Sequence, residues 1–138
     1  MIFLTVSVLA LSFPGCGKKE NTSDRTLRVG IVTYTQDDPF INTMTEQIRE
    51  DLKLKESKDI KILVSVKNGD NDQRDQDELV EEMIAAGCDV LCVNLVDRTA
   101  PSDIIKAARQ EKIPVIFFNR EPVKEDLMQW DQLYYVGC

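Results

Sequence analysis

At 138 residues, 43% of them apolar and 30% charged, the chain is long enough for one domain with its own core and too short for two full lobes. Its net charge of −7, with Lys and Arg dispersed rather than clustered, repels polyanions at long range and excludes a nucleic-acid or anionic-membrane footprint. It contains no histidine, which excludes Ser-His-Asp and Cys-His catalysis and His-containing zinc sites in this chain, so any chemistry would rest on carboxylates or thiols.

The opening "MIFLTVSVLALSFPGC" carries an apolar run over residues 2–11, the length of a signal peptide and too short to cross a bilayer. Pro14, Gly15 and Cys16 then resemble the end of a bacterial lipoprotein signal, in which the cysteine is acylated. No basic residue precedes the run, and Phe13 stands where Leu is usual. The expectation is a signal peptide over residues 1–16 ending at a lipidated Cys16, then a flexible tether over 17–26, "GKKENTSDRT", polar and without apolar periodicity. A domain follows over 27–138. The protein is then exported, and held at the membrane in the periplasm or at the cell surface.

From Leu27 onward, short β-rich runs alternate with helical stripes. "LRVGIVTY" (27–34) reads as a buried parallel strand, near-continuously apolar. Phe40 or Ile41, Met44, Ile48 and Leu52 follow at helical spacing. "DIKILVSV" (59–66) is the second strand, and the next helix carries Leu79, Val80, Met83 and Ile84 and stops at Gly87. "DVLCVNLV" (89–96) is the third strand. A third helix starts near Pro101 or Ser102 and turns Ile104, Ile105 and Ala108 inward. "IPVIFFN" (113–119) and "LYYVG" (133–137) complete five strands. The alternation predicts an α/β fold, a doubly wound parallel sheet with helices on both faces.

Cys16, Cys88, Cys92 and Cys138 show no C-x-x-C spacing, so no redox motif or zinc knuckle is indicated. Within one strand, Cys88 and Cys92 would share a face about 13 Å apart, too far for a disulfide, and both read as small buried apolar residues. No glycine-rich phosphate loop follows any strand, which argues against a nucleotide.

In doubly wound sheets ligands bind beyond the carboxyl ends of the strands. Those ends carry Asp37, Asp38 and Phe40, then Asn94 and Asp97, then Asn119, Arg120 and Glu121. Carboxylates, amides and a guanidinium pair with hydroxyls, and an aromatic ring covers a C–H patch, so the inventory suits a sugar. Each residue also has a structural reading: Asp37 or Asp38 as a helix cap ahead of Pro39, Phe40 in the core, Asn94 and Asn119 as caps, Arg120 and Glu121 as a solvated pair. Position alone leaves these open.

The strings "RVGIVTYTQDDPF", "NGDNDQRDQDELVEEMIAAGCDVLCVNLVDRTAP", "IPVIFFNREP" and "YYVGC", in this order, resemble the N-terminal lobe of the bacterial galactose/glucose-binding periplasmic receptors that serve methyl-galactoside ABC transporters. The resemblance implies a type I periplasmic-binding-protein lobe in which Asp38 accepts from sugar hydroxyls, Phe40 stacks on the pyranose and Asn94 bonds another hydroxyl. Arg120 falls where a Lys or Arg lies close to the cleft, and Asp97 and Glu121 match motif positions. It also implies a second lobe carrying further sugar contacts and a calcium site, which the sequence stops short of, with Cys138 where Thr, Ser or Ala is usual. No cofactor is expected in these residues. The expected function is non-enzymatic: binding galactose or glucose by hinge closure for an ABC permease, with a chemoreceptor as a further partner. A sugar-sensing module for a signalling kinase is the nearest alternative. A hydrolase using Asp37 and Asp38 is disfavoured, since neighbours on one loop cannot easily flank a scissile bond. A sheet edge and apolar faces are expected to stay exposed.

Overall fold

The computed structural model describes residues 25–137; the expected signal peptide, Cys16, most of the tether, and Cys138 lie outside the described residues. Five strands, β1 (Arg25–Thr33), β2 (Ile60–Asn68), β3 (Val90–Val93), β4 (Val115–Phe118) and β5 (Leu133–Val136), alternate with helices α1 (Pro39–Leu54), α2 (Gln73–Ala85), α3 (Ser102–Glu111) and the one-turn α4 (Lys124–Leu127). The sheet is parallel throughout, in the order β2-β1-β3-β4-β5. β1 starts two residues inside the expected tether, because Arg25 and Thr26 extend the ladder against Ile60 and Lys61.

Side-chain alternation along each strand divides the core in two. Val32, Leu91, Val93, Val115, Phe117 and Leu133 point to one face, where they pack with Val80 and Met83 of α2 and Ile104, Ile105 and Ala108 of α3. Val29, Ile31, Cys92 and Phe118 point to the other, against Met44, Ile48 and Leu52 of α1. The helical stripes are therefore as the periodicity predicts. Cys88 and Cys92 are both buried and free, but they do not share a face: β3 begins at Val90, and Cys88 belongs to the α2 side while Cys92 belongs to the α1 side. Burial pushes the Cys92 thiol up to about 11, leaving it protonated and unreactive.

The two faces are covered unequally among the described residues. Beside α1 an apolar groove of about 610 Å³ opens over Val90, Cys92, Ile116, Phe118 and Val136, with Phe40 and Asn119 at its wall. This matches the expected exposed apolar surface. Among the described residues the outer strands β2 and β5 each have one unpaired edge, and Lys61 and Lys67 place charge along β2.

Core packing leaves little room for a side chain at Gly30, where an added Cβ would lie 3.0 Å from Cys88 Sγ and 3.1 Å from Leu91 Cδ2. Gly30→Ala is expected to destabilise the fold by about 1–3 kcal/mol, measured as a lower denaturant midpoint at unchanged m-value. The open groove should bind 8-anilinonaphthalene-1-sulfonate in the native chain; absence of fluorescence enhancement would contradict an exposed apolar face of this size.

Candidate functional site

Because every strand is parallel, all the strand ends that follow β1, β3 and β4 lie along one rim of the sheet. The next strand in sequence lies on one side of β1 and β3 lies on the other, so the crevice between the ends of β1 and β3 is the topological switch point.

Asp38 follows β1 and is the N-cap of α1. Its Oδ1 accepts from Phe40 N at 2.9 Å and Ile41 N at 3.4 Å, and Pro39 takes the first helical position. The sequence left the cap to Asp37 or Asp38; it is Asp38, and Asp37 instead donates its N–H to Thr35 Oγ1. The other oxygen, Oδ2, accepts a 2.7 Å hydrogen bond from Tyr34 Oη. That bond, more than any other cause, holds the Asp38 carboxyl below its usual range and the Tyr34 phenol above its own. The sign follows for each. The contribution of Asp38 is present above the ordinary carboxylate range and is lost as pH falls through its lowered value; that of Tyr34 is lost only as pH rises through its raised one. Across neutral pH the pair is a fixed carboxylate and a fixed phenol.

Phe40 stands beside the cap with 61% of its surface exposed, too open for a core residue and placed at the mouth of the groove. From the far side comes Arg120. Asn119 adopts a left-handed backbone (φ 61°), a conformation Asn tolerates better than most residues, and this reverses the chain at the end of β4. The guanidinium then lies 3.6 Å from the centroid of the Tyr34 ring, while Nη1 donates to Leu95 O at 3.2 Å and Val96 O at 2.9 Å. Three loops are thereby tied at one point.

Asn94, expected to cap the segment that follows or to bond a hydroxyl, is fully buried (0% exposed). Its Nδ2 donates to Phe118 O at 3.1 Å, and its Oδ1 has no hydrogen-bond partner among the described residues. Asp97 closes a local turn, accepting from Thr99 N and Thr99 Oγ1, and Glu121 contributes its backbone carbonyl to Arg98 Nε. Asp38 and Arg120 thus meet at Tyr34, with Phe40 beside the Asp38 cap, Asn94 beneath the rim as a buried amide and Asp97 and Glu121 outside the cluster.

Sequence reasoning missed Tyr34 and two glutamines. Gln76 is wholly buried; its Nε2 donates to Asn94 O and its Oε1 accepts from Val96 N, each at 2.9 Å. Gln73 Oε1 accepts from Asp97 N at 2.9 Å. Together they pin the segment leaving β3 to α2. The signal for Gln76 lay in its place on the buried stripe, four residues before Val80, where an apolar residue would be expected. The groove itself does not suit a sugar, because its wall is almost entirely hydrocarbon and ring hydroxyls would go unpaired there. Among the described residues no cluster of three or more carboxylates or thiols could hold a metal.

A family model described as the periplasmic binding protein domain matches residues 29–138. The chain belongs to that family. It is 34% identical over 110 residues to the D-galactose/methyl-galactoside binding periplasmic protein MglB of Haemophilus influenzae, covering 80% of this chain and 32% of that protein. It is 26% identical over 125 residues to the ribose import binding protein RbsB of Bacillus subtilis, covering 86% and 39%. Among solved structures, a carbohydrate transporter solute-binding protein from Chloroflexus aurantiacus in complex with D-glucose superposes with a TM-score of 0.63 at 28% identity, covering 82% of this chain and 31% of that one. The chain spans about a third of the length of the curated relatives it matches. Its fold is that of the N-terminal lobe of type I periplasmic binding proteins, as the sequence resemblance implied.

Replacing Gln76 by Leu leaves the Asn94 carbonyl and the Val96 amide without their partner, and should destabilise by on the order of 2 kcal/mol or more, seen as a lower melting temperature. Asn119→Val should destabilise by about 1 kcal/mol or more while Asn119→Gly stays near wild type; equal effects would show that the left-handed turn does not matter.

Proposed function

We propose that these residues form the first-lobe wall of a galactose- or glucose-binding site in an exported receptor that hands sugar to an ABC permease. The observation that carries it is the pairing, at the switch point, of a fixed carboxylate with an exposed aromatic ring two residues apart at one helix start. Asp38 Oδ2 retains a lone pair for a sugar hydroxyl, and Phe40 offers a face to the C–H side of a pyranose. Arg120 contributes a planar donor edge, since its bonds to Leu95 and Val96 use Nη1 alone. Asn94 Oδ1, buried and unpaired, is an acceptor that a penetrating hydroxyl would satisfy.

The similarity to the galactose-binding relative supports a hexose over a pentose, and the similarity to transport receptors supports delivery to a permease rather than turnover. The state of Asp38 points the same way. A glycosidase acid needs a raised pKa, and here the carboxyl is held down. Anchoring through Cys16 is part of the same proposal.

Galactose or glucose added to the 138-residue chain should perturb amide resonances at Tyr34, Asp38, Phe40 and Arg120, with ribose weaker. One wall supplies only part of the contacts of an enclosed ligand, so the affinity should be far below that of an enclosed site. Asp38→Asn and Phe40→Ala should each weaken binding roughly tenfold or more. Perturbations confined to other residues, or binding unchanged in both variants, would overturn the assignment.

A further inference from the structure

The proposed sugar contacts Asp38 and Arg120 come from loops that follow different strands, and nothing in the ladder pattern brings them into register with each other. Tyr34 touches both. Its hydroxyl donates to Asp38 Oδ2 at 2.7 Å, a short charge-assisted bond, and its ring lies under the guanidinium at 3.6 Å. We infer that Tyr34 is a positioning residue for the sugar site, fixing the Asp38 carboxylate with its hydroxyl and the Arg120 guanidinium with its ring. This rests on the sugar-binding reading above and adds to it a residue that does its work through the other two.

The geometry leaves the carboxylate little freedom. Oδ1 is committed to the amides of Phe40 and Ile41, so rotation about the Cβ–Cγ bond would break the cap, and the phenol fixes Oδ2 from the opposite side. Arg120 is held in the same manner, at two carbonyls through Nη1 and over the ring through its flat face. A long arginine side chain left free would lose rotamer entropy on gripping a ligand; here that loss occurs when the lobe folds. Tyr34 sits one residue beyond β1, whose nine-residue pairing with β2 and additional pairing with β3 make it the most firmly anchored strand, so it is a rigid base for both neighbours.

The groups acting on the Asp38 carboxylate are the Tyr34 phenol, the Arg120 guanidinium and the amides of Phe40 and Ile41, and all but the tyrosine survive in Tyr34→Phe. That variant keeps the ring under Arg120 and removes the hydroxyl; Tyr34→Leu removes both supports. The titration midpoint of the Asp38 carboxyl carbon, followed by NMR in the full chain, should rise in Tyr34→Phe. Galactose affinity at neutral pH should fall roughly tenfold, by loss of one hydrogen bond to a charged group. The acid limb of the affinity-against-pH curve should move to higher pH, which a merely structural role would not produce. Tyr34→Leu should weaken binding further, with circular dichroism confirming that each variant is folded. An unmoved Asp38 midpoint in Tyr34→Phe overturns the positioning role, as does a moved midpoint with unchanged galactose affinity in a wild type that binds. If wild type binds neither galactose nor glucose while the midpoint still moves, the sugar reading itself fails and Tyr34's part in binding fails with it, although the Tyr34–Asp38 bond is then demonstrated.

Discussion

Parallel pairing on both edges of β1 is the constraint from which the rest follows. With β2 on one side and β3 on the other, the loops leaving β1 and β3 must diverge to opposite faces of the sheet, and the gap between them cannot be closed by backbone hydrogen bonds. Whatever bridges it must be side chains. Arg120 spans it, bonding Leu95 and Val96 beyond β3 and covering the Tyr34 ring beyond β1, and Tyr34 in turn holds Asp38.

The β3 exit shows how much of that arrangement is secured from below. β3 has only four residues and then leaves the ladder. The segment 94–97 has few backbone partners in the sheet, and its free groups are taken up by Gln73, Gln76 and Arg120. A buried amide side chain with both its donor and its acceptor satisfied costs little and fixes one geometry. The carbonyls of Leu95 and Val96 are thereby presented at fixed points, and Arg120 reaches them because Asn119 reverses the chain just beforehand. Rigidity at the rim is thus derived from polar groups in the interior.

The helices and the fold class were legible because period 3.6 and period 2 are written directly into apolar spacing: Ile104, Ile105 and Ala108 face inward as read, and Gly87 stops α2 with φ 81°. The site was legible only in its residue types. Asp37 and Asp38 are equivalent as sequence, and which of them caps is decided by the loop's path over Thr35. Tyr34 reads as the last residue of an apolar strand, since nothing local says that its hydroxyl meets a carboxylate four residues on. Asn94 reads as a group at the end of β3 facing the crevice, and nothing local says which way its amide turns. The strand ends at Val93, and the amide turns into the protein instead. Overextension of β3 put Cys88 on the wrong face. The short α4 went unread because a single turn has no periodicity to detect.

The polar cluster and the apolar groove adjoin at Phe40, and this adjacency bears on how the lobe can work. The Asp38 cap holds the Phe40 backbone in the first turn of α1, so its exposed ring stays at the boundary between the cluster and the groove. Surface that covers the groove would therefore meet one edge of that ring, while ligand would meet its face. Under the proposed function, covering apolar area and holding a sugar would be coupled through this one side chain, without any rearrangement of the sheet. A receptor that must bind tightly and release on demand needs such coupling between a ligand contact and a surface that a neighbouring part of the protein can occupy. In this fold it requires no more than an aromatic residue two positions after an aspartate cap.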